Sequence, residues 1–143
     1  MPLKPDLILA SSSRYRKELL SRLCMPFTAI SPDVDETPHA GETPEALALR
    51  LSVAKAMAVA AKHPGCIVIG SDQVATVDGQ PIGKPGDLPR AMAQLQALSG
   101  REVEFHSALA VTDAWGRVPG VNSASSKSML KVRASALLID RPD

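Results

Sequence analysis

Cys66-Ile67-Val68-Ile69-Gly70-Ser71-Asp72-Gln73 is the stretch whose reading decides the fold. From Cys66 to Gly70 the residues are apolar or small, with no alternation. A strand covered on both faces reads this way, because neither face needs polar side chains. Pro64-Gly65 stands just before it and ends a helical pattern. Leu7-Ile8-Leu9-Ala10 is a second short apolar run near the N-terminus. Strands alternating with helical stretches predict an α/β fold, with a mixed twisted sheet and flanking helices.

Working outward, Ser11-Ser12-Ser13 breaks the first run and offers helix N-caps. Arg14 to Leu23 is predicted as a helix with Leu19, Leu20 and Leu23 on one side. Arg14, Arg16 and Lys17 crowd its first turns, where cations oppose the helix dipole. A bound anion would remove that conflict. Phe27 to Ile30 is predicted as a strand, and 31–43 as a loop rich in Pro, Asp and Glu. Thr43-Pro44-Glu45 starts a helix that runs to about Lys62. Leu47, Leu51, Ala54, Ala58 and Ala61 repeat on it at helical spacing and predict its buried stripe.

Val74 to Val77, Asp78-Gly79 and Gln80 to Ile82 predict a hairpin. Pro89 to Leu98 predicts a further helix, and Glu102 to Phe105 and Ala108 to Thr112 two strands. Asn122 to Ser128 has no periodicity and predicts a flexible linker, so 119–143 is expected to be an atypical tail after a core of 1–118.

At 143 residues the chain fits one domain with a core of its own. The composition, 45% hydrophobic and 22% charged, is that of a globular protein. A net charge of +1 gives no basic field for nucleic acid. Cys24 and Cys66 are far apart, with no metal-ligand spacing, which suits free thiols in the cytoplasm. The start has neither a signal-peptide core nor a membrane-spanning run, so no membrane association is expected.

Asp72, after the central apolar run, is the first candidate for chemistry. Ligands in open α/β sheets bind outside the carboxyl ends of strands; the alternative is an Asp that caps a turn. Asp35-Glu36 could be a solvated loop pair and Lys55 a surface lysine. Lys84 is not part of a Walker loop: only three residues separate Gly79 from Gly83, and Pro85 stands where Ser or Thr is needed. His39, His63 and His106 lack ligand spacing and are expected to be incidental. Ser11 to Ser13 lack a nucleophile elbow and suit capping or phosphate contact. Taken together, carboxylates that can hold a hard cation and cations that can neutralise polyphosphate point to phosphate-ester hydrolysis.

In Leu9-Ala10-Ser11-Ser12-Ser13-Arg14-Tyr15-Arg16, Asp33-Val34-Asp35-Glu36-Thr37-Pro38, Ala54-Lys55-Ala56, Ile69-Gly70-Ser71-Asp72-Gln73-Val74 and Gly83-Lys84-Pro85, the chain resembles the Maf family of nucleotide pyrophosphatases. The match spans 7 to about 118. Gly-Ser-Asp-Gln-Val, with Tyr15, is similar to the branch that acts on 7-methyl-GTP; other branches tend to carry Arg and Thr at the Tyr15 and Gln73 positions.

The resemblance implies a Maf/ITPase-like fold and cleavage of a nucleoside triphosphate, expected to be 7-methyl-GTP, into monophosphate and pyrophosphate. A divalent cation, Mg²⁺ or Mn²⁺, would assist. Asp72 would accept the proton of the attacking water, and Glu36 and Asp72 would hold the metal. Ser11, Arg16, Lys55 and Lys84 would bind polyphosphate. Tyr15 and Gln73 would select the base, and stacking of a cationic methylguanine on Tyr15 adds about 0.5–2 kcal/mol. The partner implied is the nucleotide, with a homodimer left open.

Arg14 stands where the family commonly has Pro. Residues 119–143 match nothing in the family's later part, and the abrupt change near Val118-Pro119 suggests a frameshift or truncation. A C-terminally incomplete fold with one uncovered sheet face follows from that. The alternatives are a catalytically impaired nucleotide-binding or regulatory protein, and a partial chain that folds poorly.

Overall fold

The computed structural model describes residues 6–83 and 86–129, with 122–129 described by their backbone alone. Lys84 and the segment 130–143 lie outside the described residues.

Three strands run parallel. β1 (Leu7–Ala10) lies between β2 (Thr28–Ala29) and β3 (Ile67–Val77). On the far side of β3, β5 (Glu102–Thr112) and then β6 (Gly120–Met129) pair antiparallel, giving the order β2-β1-β3-β5-β6. The short β4 (Gln80–Pro81) folds back on the end of β3 as a hairpin. The mixed sheet with flanking helices is the α/β architecture expected.

The chain leaves β1 through helix α1 (Arg14–Ser21) to reach β2 on one side. It then returns through helix α2 (Pro44–Ala60) to β3 on the other side of β1. Right-handed crossovers in opposite directions place the two helices on opposite faces. β1 is therefore a switch point, and a crevice opens beyond its carboxyl end. Helix α3 (Leu88–Leu98) starts at the Asp87 cap, whose side chain accepts from the Arg90 N–H.

Residues alternate across a strand. Ile8, Ala10, Val68 and Ala110 face α2 and pack with its Ala56 and Val59. The buried side of α2 is Leu47, Ala48, Leu51, Ser52, Lys55, Ala56 and Val59. The expected stripe was right at Leu47 and Leu51. Its alanines were misplaced: Ala54 and Ala58 are half-buried and Ala61 is exposed. The seam instead follows two adjacent i, i+4 rows, one of which carries Lys55 inward.

Small residues let α2 lie directly on β3. A Cβ on Gly70 would stand 2.7 Å from the Ala56 nitrogen and 2.8 Å from its Cβ. Gly70 is thus a helix-to-strand contact that tolerates no side chain.

Three expectations need correction. Asp72 is not at a strand end: β3 continues to Val77. The apolar run stops at Gly70 because parallel pairing with β1 stops there, at Ala10↔Gly70, while pairing with β5 carries the strand onward. The two strands expected over 102–112 are one, because Phe105 to Ala108 pair without a break against β3. Residues 122–128 are strand rather than linker, since β6 pairs with β5 from Val111↔Gly120 to Glu102↔Met129. Backbone pairing to a neighbour needs no hydrophobic period, which is why the sequence did not signal it. Among the described residues, no helix is long and apolar enough to cross a membrane.

Candidate active site

The crevice beyond β1 is built from three segments. The first is the serine turn. Ser13 caps α1, its side chain accepting from the Arg16 N–H. The buried Ser11 hydroxyl accepts from the Ser13 N–H at 3.0 Å and from Arg16 Nη1 at 3.5 Å. The first turn of α1 holds no acidic residue. Its N–H groups and the Arg16 guanidinium therefore make a positive rim on that side of the crevice.

The second segment is the acidic loop between β2 and α2. Asp35 accepts from both the N–H and the hydroxyl of Thr37, at 3.0 and 2.6 Å. These bonds hold the Asp35 carboxyl below its usual pKa. Between these two tied residues sits Glu36.

The third segment is where α2 meets β3. Lys55 Nζ donates to Asp72 Oδ1 at 2.9 Å and pairs with Glu36 Oε1 at 2.8 Å. Lys55 and Asp72 are both buried, whereas Glu36 is half exposed. Burial works against the Lys55 charge, but hydrogen bonds and charge from Asp72 and Glu36 outweigh it and hold its pKa above the ordinary lysine value. Lys55 carries its charge inward because its position falls on the buried seam of α2.

A cavity of about 310 Å³ joins these parts, lined by Ser11, Arg16, Asp33, Glu36 and Lys55 among others. One wall is cationic and hydroxylic and the other carboxylate. Such a cavity can grip a polyphosphate and still present a base.

The expected site set divides in space. Ser11, Arg16, Glu36 and Lys55 line the cavity, and Asp72 joins it through Lys55. Gln73, next to Asp72, projects to the opposite face, where its Nε2 donates to Ser107 Oγ at 3.3 Å. Tyr15 is largely exposed on α1 and is not part of the cavity lining. On the α1 face, a second groove of about 330 Å³ runs over Arg16, Leu19, Leu20, Leu23, Ile69 and Leu109. Arg16 lines both spaces.

A family model described as Maf-like protein matches residues 6–137, so the family match runs past the boundary near Val118 expected from the sequence. The chain belongs to the Maf-like protein family. It is 81% identical over 109 residues to a 7-methyl-GTP pyrophosphatase of Bordetella avium, covering 76% of this chain and 55% of that one. A 7-methyl-GTP pyrophosphatase of Burkholderia lata is 66% identical over 112 residues, covering 76% and 53%. The chain thus spans about half the length of the curated relatives it matches. Its fold is similar to a HAM1 protein from Coxiella burnetii, with TM-score 0.56 and 20% identity over 87% of this chain and 71% of that one. The Staphylococcus aureus Ham1 protein gives TM-score 0.56 and 16% identity over the same shares.

One group in this Maf-like chain went unread in the sequence. His106, expected to be incidental, is buried between two carboxylates, with Nδ1 3.4 Å from Glu45 and Nε2 3.3 Å from Glu104. Ligand atoms from these three residues lie within 4.8 Å of one another. Each ring nitrogen faces a different glutamate, so the group ties the first turn of α2 to β5. Glu104 and His106 share a strand face at i, i+2, but Glu45 is 59 positions before Glu104 in the chain, so local spacing could not reveal the trio.

Proposed function

We propose that this chain carries the catalytic pocket of a nucleoside triphosphate pyrophosphatase that cleaves between the α- and β-phosphates. The observation that carries the reading is Lys55 buried between Asp72 and Glu36 at the edge of the serine-lined cavity. In this reading the serine turn and Arg16 take the polyphosphate, and Lys84 adds a further cation. Asp72 accepts a proton from water, whose oxygen forms a bond to the α-phosphorus. The bond from that phosphorus to the bridging oxygen breaks, and pyrophosphate leaves with the electron pair.

The donor set suits a hard divalent cation. Glu36 and Asp72 bring carboxylate oxygens to 2.8 and 2.9 Å of one ammonium, and hard cations take oxygen ligands. These two residues would hold Mg²⁺ or Mn²⁺, which when bound neutralises charge on the polyphosphate. Until then Lys55 supplies the compensating charge.

The names of the relatives support 7-methyl-GTP as the substrate. Tyr15 on α1 and Gln73 would meet the base on the α1 side of the sheet, apart from the phosphate cavity. A cytoplasmic setting agrees with Cys24 and Cys66 as free thiols. A second reading is a nucleotide-binding or regulatory Maf-like protein with impaired catalysis.

One assay separates the two. Purified chain with Mg²⁺ or Mn²⁺ and 7-methyl-GTP is followed for pyrophosphate, with nucleotide binding measured in parallel. Release that Asp72→Asn abolishes supports the first reading. Binding without release supports the second.

A further inference from the structure

The site proposed above needs Glu36 at Lys55 and Asp72, yet Glu36 lies on a long loop and is half exposed. What holds it there is five residues before Lys55 on the same helix. Arg50 donates from Nε to Glu42 Oε2 at 2.7 Å and from Nη2 to Glu42 Oε1 at 3.0 Å, a two-pronged fork. The same Nη2 reaches the Thr37 carbonyl at 3.0 Å, immediately after Glu36. Glu42 Oε1 also accepts from the His39 N–H at 3.0 Å. Asp35 grips Thr37 from the other side of Glu36.

The Thr37 end of the acidic turn is therefore fixed to the guanidinium that also holds Glu42, and Asp35 is tied to that end through Thr37. The pair is sheltered, with the Glu42 side chain only 9% exposed and that of Arg50 28%. A planar fork fixes direction as well as distance, which a lysine does not. Helix α2 thus supplies two cations with separate tasks. Arg50 fixes the loop, and Lys55 meets the carboxylate that the loop delivers.

We propose that Arg50, locked by Glu42, is a positioning residue that sets Glu36 against Lys55 and Asp72 and so completes the cation-binding carboxylate pair. The inference rests on the cation reading given above. Partners that orient metal ligands typically contribute about 10–100-fold in metal affinity.

The test uses the full chain and Mn²⁺ alone. Affinity is measured by electron paramagnetic resonance for wild type, Arg50→Ala, Arg50→Lys, Glu36→Gln and the Arg50→Ala/Glu36→Gln double variant. Hydrogen exchange over 33–38 is followed in the same proteins. Arg50→Ala is expected to weaken Mn²⁺ at least tenfold and speed exchange, with Arg50→Lys intermediate. In the Glu36→Gln background Arg50→Ala is expected to have no further effect on Mn²⁺, because Arg50 acts through Glu36.

Unchanged Mn²⁺ affinity in Arg50→Ala, or an equal loss with Glu36→Gln already present, overturns the proposal. A wild type that binds no Mn²⁺ sinks the cation reading, and exchange then decides the clamp. Faster exchange over 33–38 in Arg50→Ala keeps the clamp, and unchanged exchange overturns it. Should Arg50→Ala fail to fold, Arg50→Lys carries the same comparison.

Discussion

Lys55→Met isolates the buried charge pair that anchors the site. Methionine keeps most of the length of lysine and removes its charge. Asp72, with its side chain 9% exposed, would then be a buried carboxylate without its cation. Removing one partner of a buried pair typically costs about 3–5 kcal/mol, because the remaining charge is uncompensated. For a domain of this size that corresponds to a fall in melting temperature of about 10–20 °C. Glu36→Gln serves as the control. The Glu36 side chain is 53% exposed, and exposed pairs contribute about 0–1 kcal/mol. Asp72→Asn keeps a carbonyl acceptor for Lys55 and should cost about 1–2 kcal/mol. Lys55→Met/Asp72→Leu removes both charges and should recover most of the loss, since apolar replacement of a buried pair is often neutral. Urea unfolding monitored by circular dichroism gives all four values. If Lys55→Met costs under about 1 kcal/mol, or the double variant is no better than the single, the buried-pair reasoning is wrong.

Gly70→Ala should destabilise toward the upper end of about 1–3 kcal/mol, because the new Cβ meets helix backbone rather than a flexible side chain; chemical denaturation checks it. Thr43→Ala should cost about 1 kcal/mol, through loss of the cap that accepts from the Ala46 N–H at 3.1 Å, and its melting temperature measures this. The Arg50 fork and the His39 N–H pull Glu42 from an ordinary 4.5 to about 2. A depressed carboxylate stabilises the folded state above its unfolded pKa and loses that contribution as pH falls through the folded value. The stability difference between wild type and Glu42→Gln should therefore be full at pH 6 and shrink between about 4.5 and 2. A difference independent of pH across that window would contradict the pairing.

The sequence made the helices and the core strands legible where the signal is local. The Thr43-Pro44 start, the Leu47 and Leu51 positions and the Cys66–Gly70 run each carry their own physical reason. The extent of β3 was not legible, because the residues of β5 that extend it lie 28 to 38 positions later, from Thr76↔Glu104 to Ser71↔Leu109. β6 was invisible for a related reason: its small polar residues have no period, and it is set by pairing with β5. At the site, Lys55 could not be told from a surface lysine until the packing seam of α2 turned it toward Asp72. The resemblance supplied Glu36, Lys55 and Asp72 together, and the geometry brought those three into one cluster. It also placed Gln73 on the other face of the sheet. The Arg50–Glu42 fork and the His106 group are contacts between residues distant in the chain, and no spacing rule reaches them.

The central claim, that Asp72 serves cleavage between the α- and β-phosphates, is tested most directly by product identity in labelled water. The chain is incubated with 7-methyl-GTP, Mn²⁺ and H₂¹⁸O, and the products are resolved by mass spectrometry. The account predicts pyrophosphate and a nucleoside monophosphate carrying the label, both lost in Asp72→Asn. Release of labelled orthophosphate, or turnover undiminished in Asp72→Asn, would contradict it.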